Sequence, residues 1–110
     1  MFQKFIRRHT VNKLLADRVL KEGLIIGMKV EDSVKWHDRI VYNVRNNNVD
    51  LVLDNDVMED IIMPGNQIIL KHTTEYFEYM MDGTVDNIAI EDQGRINLNI
   101  HSVNKSINTR

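Results

Sequence analysis

From Gly27 onward, apolar side chains recur at every second position, and this alternation limits the fold more than any other feature of the chain. In "RINLNIH", residues 95–101, Ile96, Leu98 and Ile100 take one side while Asn97, Asn99 and His101 take the other. That is the pattern of an antiparallel strand with one buried face. The same period predicts strands over 28–33, 38–45, 49–54, 67–72, 75–91 and 95–102. Turn residues separate them: Asn46–Asn48, Pro64-Gly65 and Asp92–Gly94. Asn and Gly tolerate the left-handed backbone that tight turns need, and Pro presets their first φ. Six short strands at this spacing predict a mainly β protein, a small six-stranded antiparallel barrel, closed or partly open, whose closure would protect its edges.

Seventeen residues between Glu75 and Glu91 are too many for one ordinary strand of about 5–6 residues, so something must divide them. Gly83 is placed to do so, since a missing side chain permits a sharp bend or a close backbone approach. The alternation assigns Phe77, Tyr79, Met81 and Val85 to the core and leaves Tyr76, Glu78, Met80 and Asp82 facing outward, where a partner would touch.

Ahead of the alternating region, "TVNKLLADRVLKEG" has a helical period: Val11, Leu14, Leu15 and Val19 share a face, Thr10 can cap the start and Gly23 can end it. The expected organisation is a basic helical arm over 1–23, a barrel over 24–103, and a tail or linker start over 104–110. Residues 1–21 carry six basic side chains against one acidic, a balance of +5, which leaves −7 on the remaining 89 residues of a chain with net charge −2. A basic arm of this kind seeks an acidic surface, and Phe2, Phe5, Arg7 and Arg8 mix apolar and cationic groups as partner-docking segments do. With no apolar run near the ~18 residues of a membrane span and no export signal, a cytoplasmic location is expected.

Searches for reaction chemistry turn up little. There is no cysteine, so disulfides, thiolate metal sites and a Cys nucleophile are excluded. His9, His37, His72 and His101 show no metal-binding spacing. "DNDVMED" superficially resembles a calcium loop but lacks the ligand at its fifth place, the glycine at its sixth and the glutamate at its twelfth. Ser33, Ser102 and Ser106 lie in no nucleophile elbow, and the five glycines are too scattered for a phosphate-binding loop. The expectation is a non-enzyme with no cofactor and no metal. A nucleic-acid-binding barrel is the alternative, with Trp36, Tyr42, Tyr76, Phe77 and Tyr79 as possible stacking rings. The acidic balance of the body opposes it, because backbone binding needs cations.

The order "GMKVED", "RIVYNVRNNNVDLVL", "MPGNQIILKHTTEYFEY" and "MDGTVDNI" resembles the N-terminal domain that precedes the PilZ domain in flagellar-brake proteins of the YcgR type, over residues 24–102. The resemblance implies a split barrel in a bacterial regulatory protein linked to cyclic-di-GMP signalling and flagellar motility. Its implied partner is a flagellar or signalling protein, or a PilZ domain following in the same chain. The family's nucleotide motifs, R-x-x-x-R and D/N-x-S-x-x-G, do not occur here, so no ligand contact carries over. The chain stops at "NKSINTR", about where the family's linker would begin, which fits either a fragment or a stand-alone barrel.

Overall fold

The structure is a computed structural model that describes residues 14–53, 62–89 and 94–108. Six strands follow a short 3-10 turn (Ala16–Arg18): β1 (Ile25–Val30), β2 (His37–Arg45), β3 (Asn48–Val52), β4 (Gln67–Thr73), β5 (Phe77–Ala89) and β6 (Arg95–Ile107). Their spatial order, β1-β2-β3-β6-β5-β4, returns on itself as a closed antiparallel barrel. Two three-stranded meanders build it, joined where β3 meets β6 and where β1 meets β4. Inside, Ile26 and Met28, Val49 and Leu51, Ile68 and Leu70, Met81 and Val85, and Ile96, Leu98 and Ile100 are buried together. Met81, Val85, Ile96, Leu98 and Ile100 among them are positions that the alternation assigns to the core.

Between β2 and β3 the turn is left-handed at Asn46 (φ 55°), as expected of that residue. Gly65 (φ 94°) does the same after Pro64, and its N–H donates to the Val85 carbonyl at 2.8 Å, which docks the crossover onto β5.

The expected N-terminal α-helix is corrected over residues 14–23, which hold only the 3-10 turn. The cause lies in tertiary hydrogen bonds that take the groups a helix would use. Leu15 is extended (φ −89°, ψ 150°). The Ala16 N–H donates to Asn47 Oδ1 at 2.9 Å, and the Asp17 N–H donates to the Asn46 carbonyl at 3.0 Å. Asp17 Oδ2 in turn accepts the Asn46 N–H at 2.6 Å. Held this way, the segment buries Ala16 and Leu20, while Leu14, Leu15 and Val19 are half-buried. The part of the helix expected over 10–13, and Phe2, Phe5, Arg7 and Arg8, lie outside the described residues.

Strand limits differ from expectation by more than two residues in β1, which also ends earlier, at Val30, and in β6. β1 starts at Ile25, which puts Gly27 inside the strand. β6, expected to end at Ser102, continues to Ile107 because it follows the outer half of β5, pairing Ser102 with Asp82 through to Ile107 with Phe77. Alternation could not reveal this stretch, because "NKSI" is exposed whichever way its side chains point.

Gly83 divides β5 as the sequence predicts. Asp82 pairs with Ser102 but Gly83 pairs with Ile100, so His101 is an extra residue on β6. A Cβ on Gly83 would stand 2.8 Å from Ile100 Cδ1 and 3.0 Å from the Asn99 carbonyl oxygen. The isoleucine tip can turn aside, but the neighbouring backbone cannot. Gly83→Ala should therefore lower stability by about 1–3 kcal/mol, the usual cost of overpacking. Urea unfolding would show this as a lower midpoint with an unchanged slope; an unchanged midpoint would mean that β6 can move away freely.

Candidate interaction surface

Two outer surfaces of the barrel differ in chemistry. Across β3, β6, β5 and β4, polar side chains bond to one another. Asn97 Nδ2 donates to Asn48 Oδ1 at 2.8 Å and to Asp50 Oδ1 at 2.6 Å. Thr84 Oγ1 lies 2.5 Å from His101 Nε2 and also meets the Gln67 amide, whose Nε2 donates to it at 3.2 Å. These are cross-strand ladders of the kind that stabilise sheets.

The outer face of β1 and β2 carries an apolar patch instead, beside the exposed Asp38 and the half-buried Lys29. Ile25 and Ile40 are direct register partners and are 62% and 46% exposed. Trp36 folds back over Gly27, with its ring carbon Cε3 only 3.3 Å from where a Cβ would lie. The ring thus covers the backbone that the glycine leaves bare. Lys71 Nζ lies 4.5 Å from the Trp36 ring centre and Lys29 Nζ 5.8 Å, while at the other end the Arg95 guanidinium lies 4.3 Å from the Tyr42 ring. Shallow depressions of about 410 and 650 Å³ flank the patch, the first beside Ile25, Trp36 and Lys71, the second beside Gly23, Ile40 and Tyr42.

Of the predicted partner-binding residues, Glu78 and Met80 lie on β5, paired with Thr73 and Lys71 of β4. Both are half-buried. Met80 is brought next to the lysine that covers Trp36, so it borders the apolar patch. Tyr76 is exposed just ahead of β5, and its carbonyl accepts the Asn108 N–H at 2.8 Å. Sequence reasoning missed Ile25, Ile40 and the Trp36–Gly27 contact as a surface. The available signal was "DRIVY", where apolar and charged residues occupy the wrong faces: Arg39 points inward and Ile40 outward.

Phe77 and Tyr79, expected in the core, are only half-buried. They share the side of β5 that Met81 occupies, but they stand beyond the point where β3 stops pairing with β6, at Asn99. Tyr79 stacks with His72 (ring centres 6.2 Å apart, planes 15° apart), and Lys105 Nζ lies 4.1 Å from the Phe77 ring centre. The five rings proposed for stacking are therefore split between the β1–β2 face and this ribbon of β4, β5 and β6. Among the described residues no three His, Asp or Glu side chains converge as metal ligands would, and no helix is long and apolar enough to cross a membrane.

Comparison of the chain with protein-family profiles, with curated proteins and with solved structures gives no match.

Two titratable groups have testable consequences. Arg39 is 5% exposed; its Nη1 donates to the Asp38 carbonyl at 2.8 Å and its Nε has no hydrogen-bond partner. A buried guanidinium with an unbonded Nε bears that part of its desolvation cost uncompensated. Arg39→Met is expected to leave stability unchanged or to raise it by about 1–2 kcal/mol, read as a urea midpoint; a large loss would show that the charge is well paired.

Desolvation lowers the His72 pKa below its ordinary 6.5. The unfolded chain then takes up a proton at this position more readily than the folded one, so this group's stabilising contribution is present above pH 6.5 and lost as pH falls through the folded value. Wild type should lose more stability between pH 7.5 and 5.5 than His72→Gln does. Parallel losses in the two proteins would remove this assignment.

Proposed function

We propose that the chain is a non-catalytic regulatory barrel that binds a protein partner through the outer face of β1 and β2. One observation carries the reading: Ile25, Ile40 and Tyr42 lie together with Trp36 on the outside of a closed barrel, with Lys29, Lys71 and Arg95 at the margins. A contiguous apolar patch rimmed by charge is the ordinary form of a protein-binding surface. The rim carries both signs, with Asp38 and Glu22 beside these cations, and suits a partner with an apolar contact surface and mixed charges around it. The resemblance to the domain preceding PilZ supports a regulatory role in a cytoplasmic, cyclic-di-GMP-linked motility system, with a flagellar or signalling protein as the partner and no nucleotide site in this chain.

Nucleic acid binding is the competing reading, and the division of the rings between two surfaces counts against it, since single-strand binding needs successive bases stacked along one groove.

The double variant Ile25→Lys/Ile40→Lys changes two exposed side chains, so its fold should persist by circular dichroism and urea unfolding. Affinity capture from cells of the source organism should retain a specific protein on wild type and lose it on the double variant. Equal retention would overturn the assignment to this face. Salt-dependent binding of single-stranded oligonucleotides, lost in Trp36→Ala, would replace it with the nucleic acid reading. Micromolar binding of cyclic di-GMP by calorimetry would refute the lack of a nucleotide site.

A further inference from the structure

β6 outruns the barrel. β3 pairs with it as far as Asn99, and the Ile100 N–H donates to the Asn47 carbonyl at 2.8 Å. From there to Ile107 its strand partner among the described residues is β5, on one side. The direction of each backbone group follows from the ladder. The Asn108 N–H donates to the Tyr76 carbonyl, so it points at β5. Successive residues of an antiparallel strand alternate in direction, and the register from Ser102 to Ile107 is unbroken. Ser106 and Asn104 therefore also face β5, while the N–H and C=O of Ile107, Lys105 and Val103 face the open side. Asn104, Lys105, Ser106 and Ile107 are exposed.

We propose that this edge accepts an extended acidic segment of a partner protein as an added strand. Three outward N–H and C=O pairs supply the backbone recognition that strand addition uses. A depression of about 320 Å³ lies at the edge's inner end, between Leu14, Leu15 and Asn47 on one side and His101–Asn104 on the other, and it seats one end of the segment. On the face shared with Phe77 and Tyr79, exposed Ile107 gives alternate apolar side chains a surface to pack on.

Charge selects the occupant. Lys105 is the one ionic side chain on the edge between Ser102 and Ile107, and a lysine there is the usual device against pairing with an identical edge. An antiparallel pair of copies would bring the two Lys105 side chains opposite or diagonal to each other. The chain's own first thirteen residues are no better suited, carrying Lys4, Arg7, Arg8 and Lys13 and no carboxylate. A carboxylate opposite Lys105 satisfies what both of these lack. The site is separate from the β1–β2 patch and does not depend on the reading given to it.

The test is to pan a display library of linear dodecapeptides on the full chain. Enriched sequences should alternate apolar and acidic residues, and a synthetic peptide of that kind should slow amide exchange at Val103, Lys105 and Ile107. Lys105→Pro removes one outward N–H without touching the β5 ladder and should weaken binding at least tenfold. Lys105→Glu keeps the backbone and should exchange acidic selections for basic ones, which guards against a folding defect in the proline variant. The same peptides enriched on Lys105→Glu, or binding lost in Ile25→Lys/Ile40→Lys but kept in Lys105→Pro, would overturn the proposal. So would slow exchange at the three amides in the free chain, since the edge would then already be filled by another copy or by the N-terminal arm.

Discussion

The near contact between β5 and β6 at Gly83 is the constraint on which the rest of the structure depends. A six-stranded sheet closes only if its strands bend and tilt, and long strands must break register to do it. β5 and β6 are each 13 residues long and do so twice, with His101 as the extra residue beside Gly83 and Asp86 as the extra residue after Val85. The first shift lets Ile100 enter the core while Ser102 is returned to pairing with Asp82. Without a glycine at 83 the Asn99 carbonyl could not approach, and the inner and outer halves of the hairpin could not share one pair of strands. The barrel and the ribbon of β5 and β6 that projects from it meet at that local shift.

Much of this architecture was legible in the sequence because its cause is local. The core positions of β3, β4 and β6 follow from a period of two, the Asn46 turn from a residue tolerant of positive φ, and the dividing role of Gly83 from the excess length of one apolar stretch. What the sequence obscured has tertiary causes. Leu14–Gly23 has helical periodicity, but the Asn46–Asn47 turn takes its backbone donors, and hydrogen bonds satisfied at a barrel end outweigh a short helix of marginal intrinsic stability. Phe77 and Tyr79 have core parity but stay half-buried, Tyr79 packed against the edge of the core, because where β3 stops cannot be read from β5. The candidate surface was the least legible part. Glu78 and Met80 are half-buried on β5, and Ile25 and Ile40 come together through a β1–β2 register that no local pattern specifies.

β2 shows how the inverted pattern and the proposed function are related. A strand that buries Arg39 and exposes Ile40 and Tyr42 contradicts the inside-outside rule at adjacent positions, and such conflicts between local pattern and global fold concentrate at functional sites. Shifting β2 by one residue would bury Ile40 and release Arg39, but it would also expel Val41 from the core and separate Ile25 from its partner. The register is thus fixed by the interior, and the apolar exterior is carried at the expense of solubility. That cost is sensible if another surface covers it.

The same comparison separates binding from catalysis on the outer face. Thr84 Oγ1 and His101 Nε2 form the closest hydroxyl–imidazole pair described, and such a pair could be read as a nucleophile with its base. It stands on the convex side of a barrel, exposed, with the Gln67 amide as its other neighbour. Nucleophile activation needs an oriented base and a concave, water-excluding site where charge can be stabilised. Here the hydroxyl and the imidazole satisfy each other as rungs of a ladder across β4, β5 and β6, as Asn48, Asn97 and Asp50 do across β3 and β6. Polar groups already bonded within the sheet have little left to offer a substrate, whereas Ile25 and Ile40 stand exposed on the outer side of β1 and β2.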